Sequence, residues 1–325
     1  VYTLPPLELG QIMDHVRLGR TNLMVSPVGL GCGGYSRLGM GESKDSSTAE
    51  GVVKHALDLG INYFDTARAY GTEEVVGKIV HCQRSEVVIS TKTMFRDKGG
   101  DYMPAEKLVE SLEKSLARMN TDYVDVFSFH GVMPQDLDYC VEEYVPVLQQ
   151  QIQLGKIRYL GITESFRQDP THEMLQRAVP VGCFDVAMVG FNFLNSGARD
   201  QVFPDCLRHD VGTQVMHAVR RALSNPAVLM QNIEQLISTG EIDKGVVNND
   251  DPLKFLTGHP GVKSVIEAAY RYCRYEPGVS LVLTGTGSVD HLTSNVAALT
   301  APPLPDELMS ELDRVFGKVT SVSGD

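Results

Sequence analysis

Short apolar runs rich in β-branched residues recur eight times along the chain, at 26–30, 61–65, 87–91, 124–130, 157–162, 184–189, 213–217 and 281–284. Between them lie stretches with the 3.6-residue periodicity of amphipathic helices, at 47–59, 73–80, 105–119, 141–154, 172–178 and 265–273. This alternation constrains the fold more than any other feature. Parallel neighbours in a sheet need a crossover between them, so strand-then-helix units predict a parallel α/β sheet. Eight such units in 325 residues fit a closed (β/α)8 TIM barrel, with 1–325 read as a single barrel domain. Three additions are expected. Residues 12–27 read as an N-terminal β-hairpin around Gly19-Arg20-Thr21-Asn22 that plugs the barrel bottom. Residues 224–261 form an insertion between strands 7 and 8 with its own helix at 229–238, and 305–317 form a C-terminal helix.

Composition narrows the function. A net charge of −12 lacks the clustered Lys and Arg of a nucleic-acid footprint and disfavours an anionic membrane surface. No segment reaches the roughly 18 consecutive apolar residues of a spanning helix, and no signal peptide is visible. The six cysteines stand far apart without a C-x-x-C pair, as free thiols in a reducing compartment do. The expectation is a cytoplasmic protein with a small-molecule substrate and no nucleic-acid or membrane partner; oligomeric state is not readable.

Three motifs are weaker than they look. Gly29–Gly34 matches G-x-G-x-x-G, but the loop 35–46 intervenes before any helix N-terminus that could receive a pyrophosphate. It reads instead as a turn where the backbone approaches something closely. The string Thr171–Gln176 begins like a zinc-binding H-E-x-x-H but ends in Gln, so it reads as a surface helix start, and no metal site is expected. Gly285–Ser288 lacks the Lys of a P-loop, yet between a strand and a helix it is a credible phosphate cradle.

The chemistry lies at the strand ends. Asp65, Lys92 and His130 close the second, third and fourth strands, and Tyr70 follows in the loop after the second. In a parallel barrel these ends converge on one rim, where catalytic groups gather. Asp65 at the end of an apolar strand needs a cation, and Lys92 can supply it. An adjacent ammonium pulls a phenol's pKa of about 10 downward. Tyr70 would then exchange a proton with a carbonyl or alcohol oxygen while His130 orients that oxygen, with hydride moving at carbon.

The string "GINYFDTARAYGTEEVVGK", together with "VVISTK", "DVFSFH", "GKIRYLGIT" and "VSLVLTGTGSVDHLTSNVAAL", resembles the aldo-keto reductase family from about residue 16 to 299. The resemblance implies a (β/α)8 barrel using a nicotinamide cofactor, usually NADP(H), without metal. It makes Tyr70 the general acid/base, has Lys92 and Asp65 tune it, and has His130 bind the carbonyl.

Cofactor contacts carry over to Gly33, Thr163, Met188, His217, Arg220, Arg221, Thr284, Gly285, Thr286, Ser288, His291 and Asn295. Here the chain departs from its relatives. Thr163-Glu164-Ser165 stands where members commonly have Ser-Asn, and Met188 replaces a Gln that holds the nicotinamide carboxamide, with Asn192 as a substitute. His217 replaces the stacking aromatic. Gly285 and His291 replace a Lys and an Arg that bind the 2′-phosphate of many relatives, so NAD(H) competes with the favoured NADP(H). Tyr35, Phe95, Met133 and Phe193 are candidates for the substrate pocket wall.

The expected function is interconversion of an aldehyde or ketone and an alcohol by an NAD(P)(H)-dependent oxidoreductase. The alternatives are a sugar (aldose) dehydrogenase forming a lactone, and a nicotinamide-binding redox-sensing regulatory subunit with little turnover.

Overall fold

The computed structural model describes residues 13–42, 46–248 and 251–325. Of the expected features, residues 1–12 of the domain (with the first residue of the hairpin), positions 43–45 of the loop 35–46 and positions 249–250 of the insertion lie outside the described residues. Eight parallel strands close into a barrel: β3 (Val28–Gly31), β4 (Tyr63–Asp65), β5 (Val88–Thr93), β6 (Val124–Val132), β7 (Ile157–Glu164), β8 (Val186–Gly190), β9 (Gly212–Met216) and β10 (Leu281–Thr284). β10 pairs with both β9 and β3, which completes the circle and leaves no exposed edge.

The expected hairpin is present. β1 (Val16–Arg17) pairs antiparallel with β2 (Met24–Val25) around a 3₁₀ turn at Gly19–Thr21. It closes the barrel bottom. Leu18, Leu23 and Val25 pack against Tyr63, Val88, Val126, Val186 and Leu281, the inward residues nearest the strand starts. Because side chains alternate along a strand, the same inward parity continues upward to Asp65, Lys92, His130, Thr163 and Met188. Outward residues such as Phe64, Ile89 and Phe127 join the large core between barrel and helices.

At two helices a departure from expectation has a clear local reason. The stretch 141–154 opens with a π turn, Cys140–Tyr144, before the α-helix Val145–Gln153. Pro146 has no N–H to bond back into the preceding turn, so the ladder widens there. The helix between β9 and β10, Pro226–Thr239, starts three residues early because the Asn225 side chain accepts from the N–H groups of Ala227 (3.0 Å) and Val228 (3.4 Å). It ends at Gly240, whose φ of 79° is a left-handed stop.

Candidate active site

The four expected catalytic side chains meet at the C-terminal rim. Asp65 ends β4, Lys92 lies on β5 and His130 on β6, and the 3₁₀ turn Arg68–Tyr70 returns Tyr70 over them. Lys92 Nζ donates to Asp65 Oδ1 (2.7 Å), Asp65 Oδ2 (2.8 Å) and the Thr66 carbonyl (2.8 Å), which accounts for all three of its N–H groups. Both partners are buried, so the pair is fully desolvated but also fully hydrogen-bonded. Lys92 Nζ lies 5.1 Å from the centre of the Tyr70 ring. The Tyr70 hydroxyl is 3.3 Å from His130 Nε2, with the two rings edge to face.

The electrostatics correct one expectation. Burial raises the Tyr70 phenol above its ordinary value, and Lys92 offsets only part of that rise. Burial is the larger effect, and Asp65 adds to it by pushing the phenol upward against the ammonium. Burial likewise lifts the Asp65 carboxyl above the usual range despite Lys92; burial is also the largest single influence on Lys92, but the charge and hydrogen bond of Asp65, together with Tyr70, outweigh it and keep Lys92 protonated. His130 is driven down to about 3 by burial and by Lys92, so its imidazole is neutral at physiological pH.

Gly33 explains the glycine-rich turn. A Cβ at that position would lie 2.5 Å from the Tyr70 ring, so a bare backbone is what lets the tyrosine reach its place.

From this tetrad a cleft of about 1220 Å³ runs past the ends of β7, β8 and β9 to the helices Val265–Arg274 and Val289–Thr300. Its lining includes Gly33, Tyr35, Asp65, Tyr70, His130, Thr163, Met188, His217, Arg220, Arg221, Gly285, Thr286, His291 and Asn295. Thr163 Oγ1 accepts from the Gly131 N–H (2.7 Å) and keeps its own proton to donate. Thr284 does not line the cleft; it is buried and bonds Tyr270 and the amide nitrogen of Asn295, which leaves the Asn295 carbonyl for a ligand. Ser288 also stands back. It caps the helix Val289–Thr300, accepting from the His291 N–H.

The substrate-wall expectation is corrected at three positions. Phe95 is buried against Phe129, and Phe193 is buried against Tyr272 and Phe316, both in the layer between barrel and helices. Met133 faces a separate depression beside Pro134 and Arg177. Only Tyr35 reaches the rim, 67% exposed, with the Arg220 guanidinium 5.4 Å from its ring centre. The cleft lining mixes polar residues such as Ser36, Ser165 and Arg167 with apolar ones such as Phe166, Met188 and Met216. Asn192 cannot serve a ligand. Its Nδ2 donates to the carbonyls of His217 and Ser323, and its Oδ1 accepts from the N–H groups of Leu194 and Asn195.

His172 begins its helix as expected, but in the interior: Nδ1 sits 2.9 Å from Glu164 Oε2, and the ring stacks on Phe166 at 5.1 Å. Glu164 Oε1 also accepts from the Gly190 N–H (2.7 Å). Phe166, unremarked in the sequence, packs so close to Gly190 that a Cβ there would lie 2.1 Å from its ring, and it meets His217 edge-on at 5.6 Å. The only written hint was Glu164 standing in place of Asn. Lys263 and Asp325 also escaped notice. Lys263 lines the cleft, and Asp325 pairs with Arg220, but neither lies in a motif. All six cysteines are free, and the described residues hold no cluster of three or more His, Cys, Asp or Glu able to bind a metal. No helix among the described residues is long and apolar enough to cross a membrane.

Residues 27–316 match the model of the aldo/keto reductase family. An L-galactose dehydrogenase from Arabidopsis thaliana is 29% identical, with 94% of this chain and 95% of that protein covered. Aldo-keto reductase YhdN of Bacillus subtilis is 32% identical, with 95% of each covered. Among solved structures, the holo form of an aldo-keto reductase from Bacillus halodurans superposes with a TM-score of 0.69 at 26% identity, covering 95% of this chain and 97% of that one.

Proposed function

The chain belongs to the aldo/keto reductase family of nicotinamide-dependent oxidoreductases, and we propose that it interconverts a carbonyl and an alcohol with Tyr70 as the general acid/base. The observation that carries this reading is the Tyr70 hydroxyl held 3.3 Å from a neutral His130 and above the Asp65–Lys92 pair, at the floor of the cleft.

The cleft residues fit a dinucleotide. Gly33 and Gly31 leave bare backbone along its floor, and the buried Nδ1 of His217 has no partner within the protein. The volume exceeds the roughly 300–1,000 Å³ of a drug-sized pocket. Thr163, Met188 and His217 would hold the nicotinamide end. Arg220, Arg221, Thr286, His291 and Asn295 would hold the remainder, aided by Lys263. Bound there, the nicotinamide supplies or accepts the hydride at carbon.

The protein's own part is the proton. A carbonyl oxygen between Tyr70 and His130 gains negative charge as hydride arrives, and the Tyr70 O–H donates to it. His130 donates an N–H to the same oxygen and fixes its direction. Lys92 stabilises the phenolate left behind, and Asp65 keeps Lys92 charged and aimed. A phenol above its ordinary pKa is fully protonated at neutral pH, which suits the reductive direction.

NADP(H) is the cofactor we favour, with Lys263 as the cation and His291 as a ring N–H donor toward its phosphate. A second reading, oxidation of an aldose to its lactone, draws on the Ser36 and Ser165 hydroxyls in the cleft lining, which suit a hydroxylated substrate. It also draws on the likeness to a protein named L-galactose dehydrogenase. Titration with NADPH and with NADH, followed by nicotinamide fluorescence, tests the proposal. Tight NADPH binding with turnover of simple aldehydes supports the reductase. NADH preference with turnover of aldoses favours the second reading, and failure to bind either overturns both.

A further inference from the structure

The segment 319–325 crosses the rim above β8 and β9. Its apolar anchoring stops at Val322; Val319 and Val322 are buried, whereas the last three residues are held by polar contacts. Asn195 Nδ2 donates to the Val322 carbonyl (2.9 Å), Asn192 Nδ2 to the Ser323 carbonyl (3.2 Å) and the Ala222 N–H to the Gly324 carbonyl (3.0 Å). Asp325 then meets two arginines. Arg220 grips it with both arms of its fork, Nε to Oδ1 at 2.8 Å and Nη2 to Oδ2 at 2.6 Å, and Arg167 Nε lies 3.3 Å from Oδ2. The Asp325 side chain is only 11% exposed, and both arginines line the cleft.

Two guanidiniums thus converge on the single side-chain carboxylate of Asp325. A guanidinium fork recognises phosphate oxygens with the same geometry as a carboxylate, and a diphosphate carries a second negative charge that this side chain lacks. We propose that Arg167 and Arg220 form an anion subsite which Asp325 fills from within the chain, and that the diphosphate of the dinucleotide takes it over. This rests on the cofactor reading above. The diphosphate is preferred to a substrate carboxylate because Arg220 follows, by three residues, the cleft-lining His217, which is assigned to the nicotinamide end of the same ligand.

On this arrangement Asp325 is a competitor. Apparent affinity falls by the fraction of molecules in which Arg220 is free, and removing the competitor restores it. Asp325→Asn keeps the shape and the Gly324 contact while removing the charge. The dinucleotide dissociation constant, measured by nicotinamide fluorescence, should drop on the order of fivefold. Inorganic pyrophosphate should displace the dinucleotide more effectively from the variant than from the wild type, whereas acetate should not. In the wild type, the Ala222 amide, which donates to Gly324, should exchange faster with deuterium once dinucleotide is added. Equal or weaker binding by Asp325→Asn, or an Ala222 amide equally or better protected on binding, overturns the displacement. If the wild type binds dinucleotide and only the variant fails to tighten, this inference alone is lost. If neither protein binds it, the cofactor reading fails with it.

Discussion

On the tetrad side of the cleft the reacting atoms are closely held: Lys92 makes three short hydrogen bonds, and the Tyr70 hydroxyl and His130 Nε2 face each other at 3.3 Å, although His130 Nδ1 is buried without a partner. On the side walled by Thr163, Met188, His217 and Arg220 the partners are looser or borrowed. Met188 offers no hydrogen bond, His217 Nδ1 is unpaired, and Arg220 is held by Asp325 from far along the sequence. The contrast follows from what each side must do. Proton transfer tolerates little displacement of the reacting atoms, whereas a dinucleotide is gripped by many contacts, each of modest weight. On the proposed roles, the first side depends on a few exact positions and the second on the sum of many contacts.

The sharpest way to break this comparison is Tyr70→Phe. Turnover should fall on the order of 10²–10⁴-fold, the span of general acid/base catalysis, with dinucleotide affinity within about twofold of wild type. Steady-state kinetics beside a fluorescence titration measure both, and an equal loss in the two would show that the halves are not separable. Next in size is Lys92→Met. It strands the buried Asp65 carboxylate and should lower unfolding stability by about 3–5 kcal/mol in denaturant titration. Adding Asp65→Asn should recover part of that loss, because the unpaired charge goes with it. A Lys92→Met protein as stable as wild type would mean that Asp65 finds another partner.

The same division decides what could be read before the fold was seen. Asp65, Lys92 and His130 each lie at the end of an apolar run and Tyr70 follows five residues after the first of them, so strand alternation and the parallel barrel suffice to bring them together. The hairpin plug was equally plain, since its apolar residues flank a four-residue turn. Phe95 and Phe193 misled because an aromatic in a rim loop can turn outward into the helix layer, and local sequence does not encode that choice. Phe166, Glu164 and His172 lie within nine residues of one another, but their contact depends on Gly190 yielding space to the phenyl ring. Asp325 reaches Arg220 across 105 positions, a distance over which no periodicity carries information. The phenol's pKa was misjudged for a related reason. The pairing of Lys92 with Asp65 is legible in the sequence, whereas the depth to which the fold buries the phenol, which outweighs the ammonium, is not.

The two imidazoles allow the finest comparison, one from each half. Burial drives both His130 and His217 down to about 3, aided by Lys92 at the first and by Arg220 at the second. In the unfolded chain each titrates near its ordinary value of about 6.5. Between these limits the unfolded state binds more protons than the folded one, so each histidine's contribution is intact above pH 6.5 and is lost as pH falls toward 3. The loss should reach about 1–2 kcal/mol per ring by pH 5. The raised carboxyl of Asp65 opposes it, because its protonation favours the folded state in acid. Differences between variants therefore isolate the imidazoles better than the wild-type curve does. His217→Phe and His130→Asn should each flatten the acid limb of stability by a similar amount in denaturant titrations from pH 7 to 4.5. Function should separate them: His130→Asn lowers turnover, and His217→Phe changes dinucleotide affinity while leaving turnover at saturation nearly intact. An acid limb as steep in His217→Phe as in wild type would mean that the second ring is protonated in the folded protein, with Asp325 as its counter-charge.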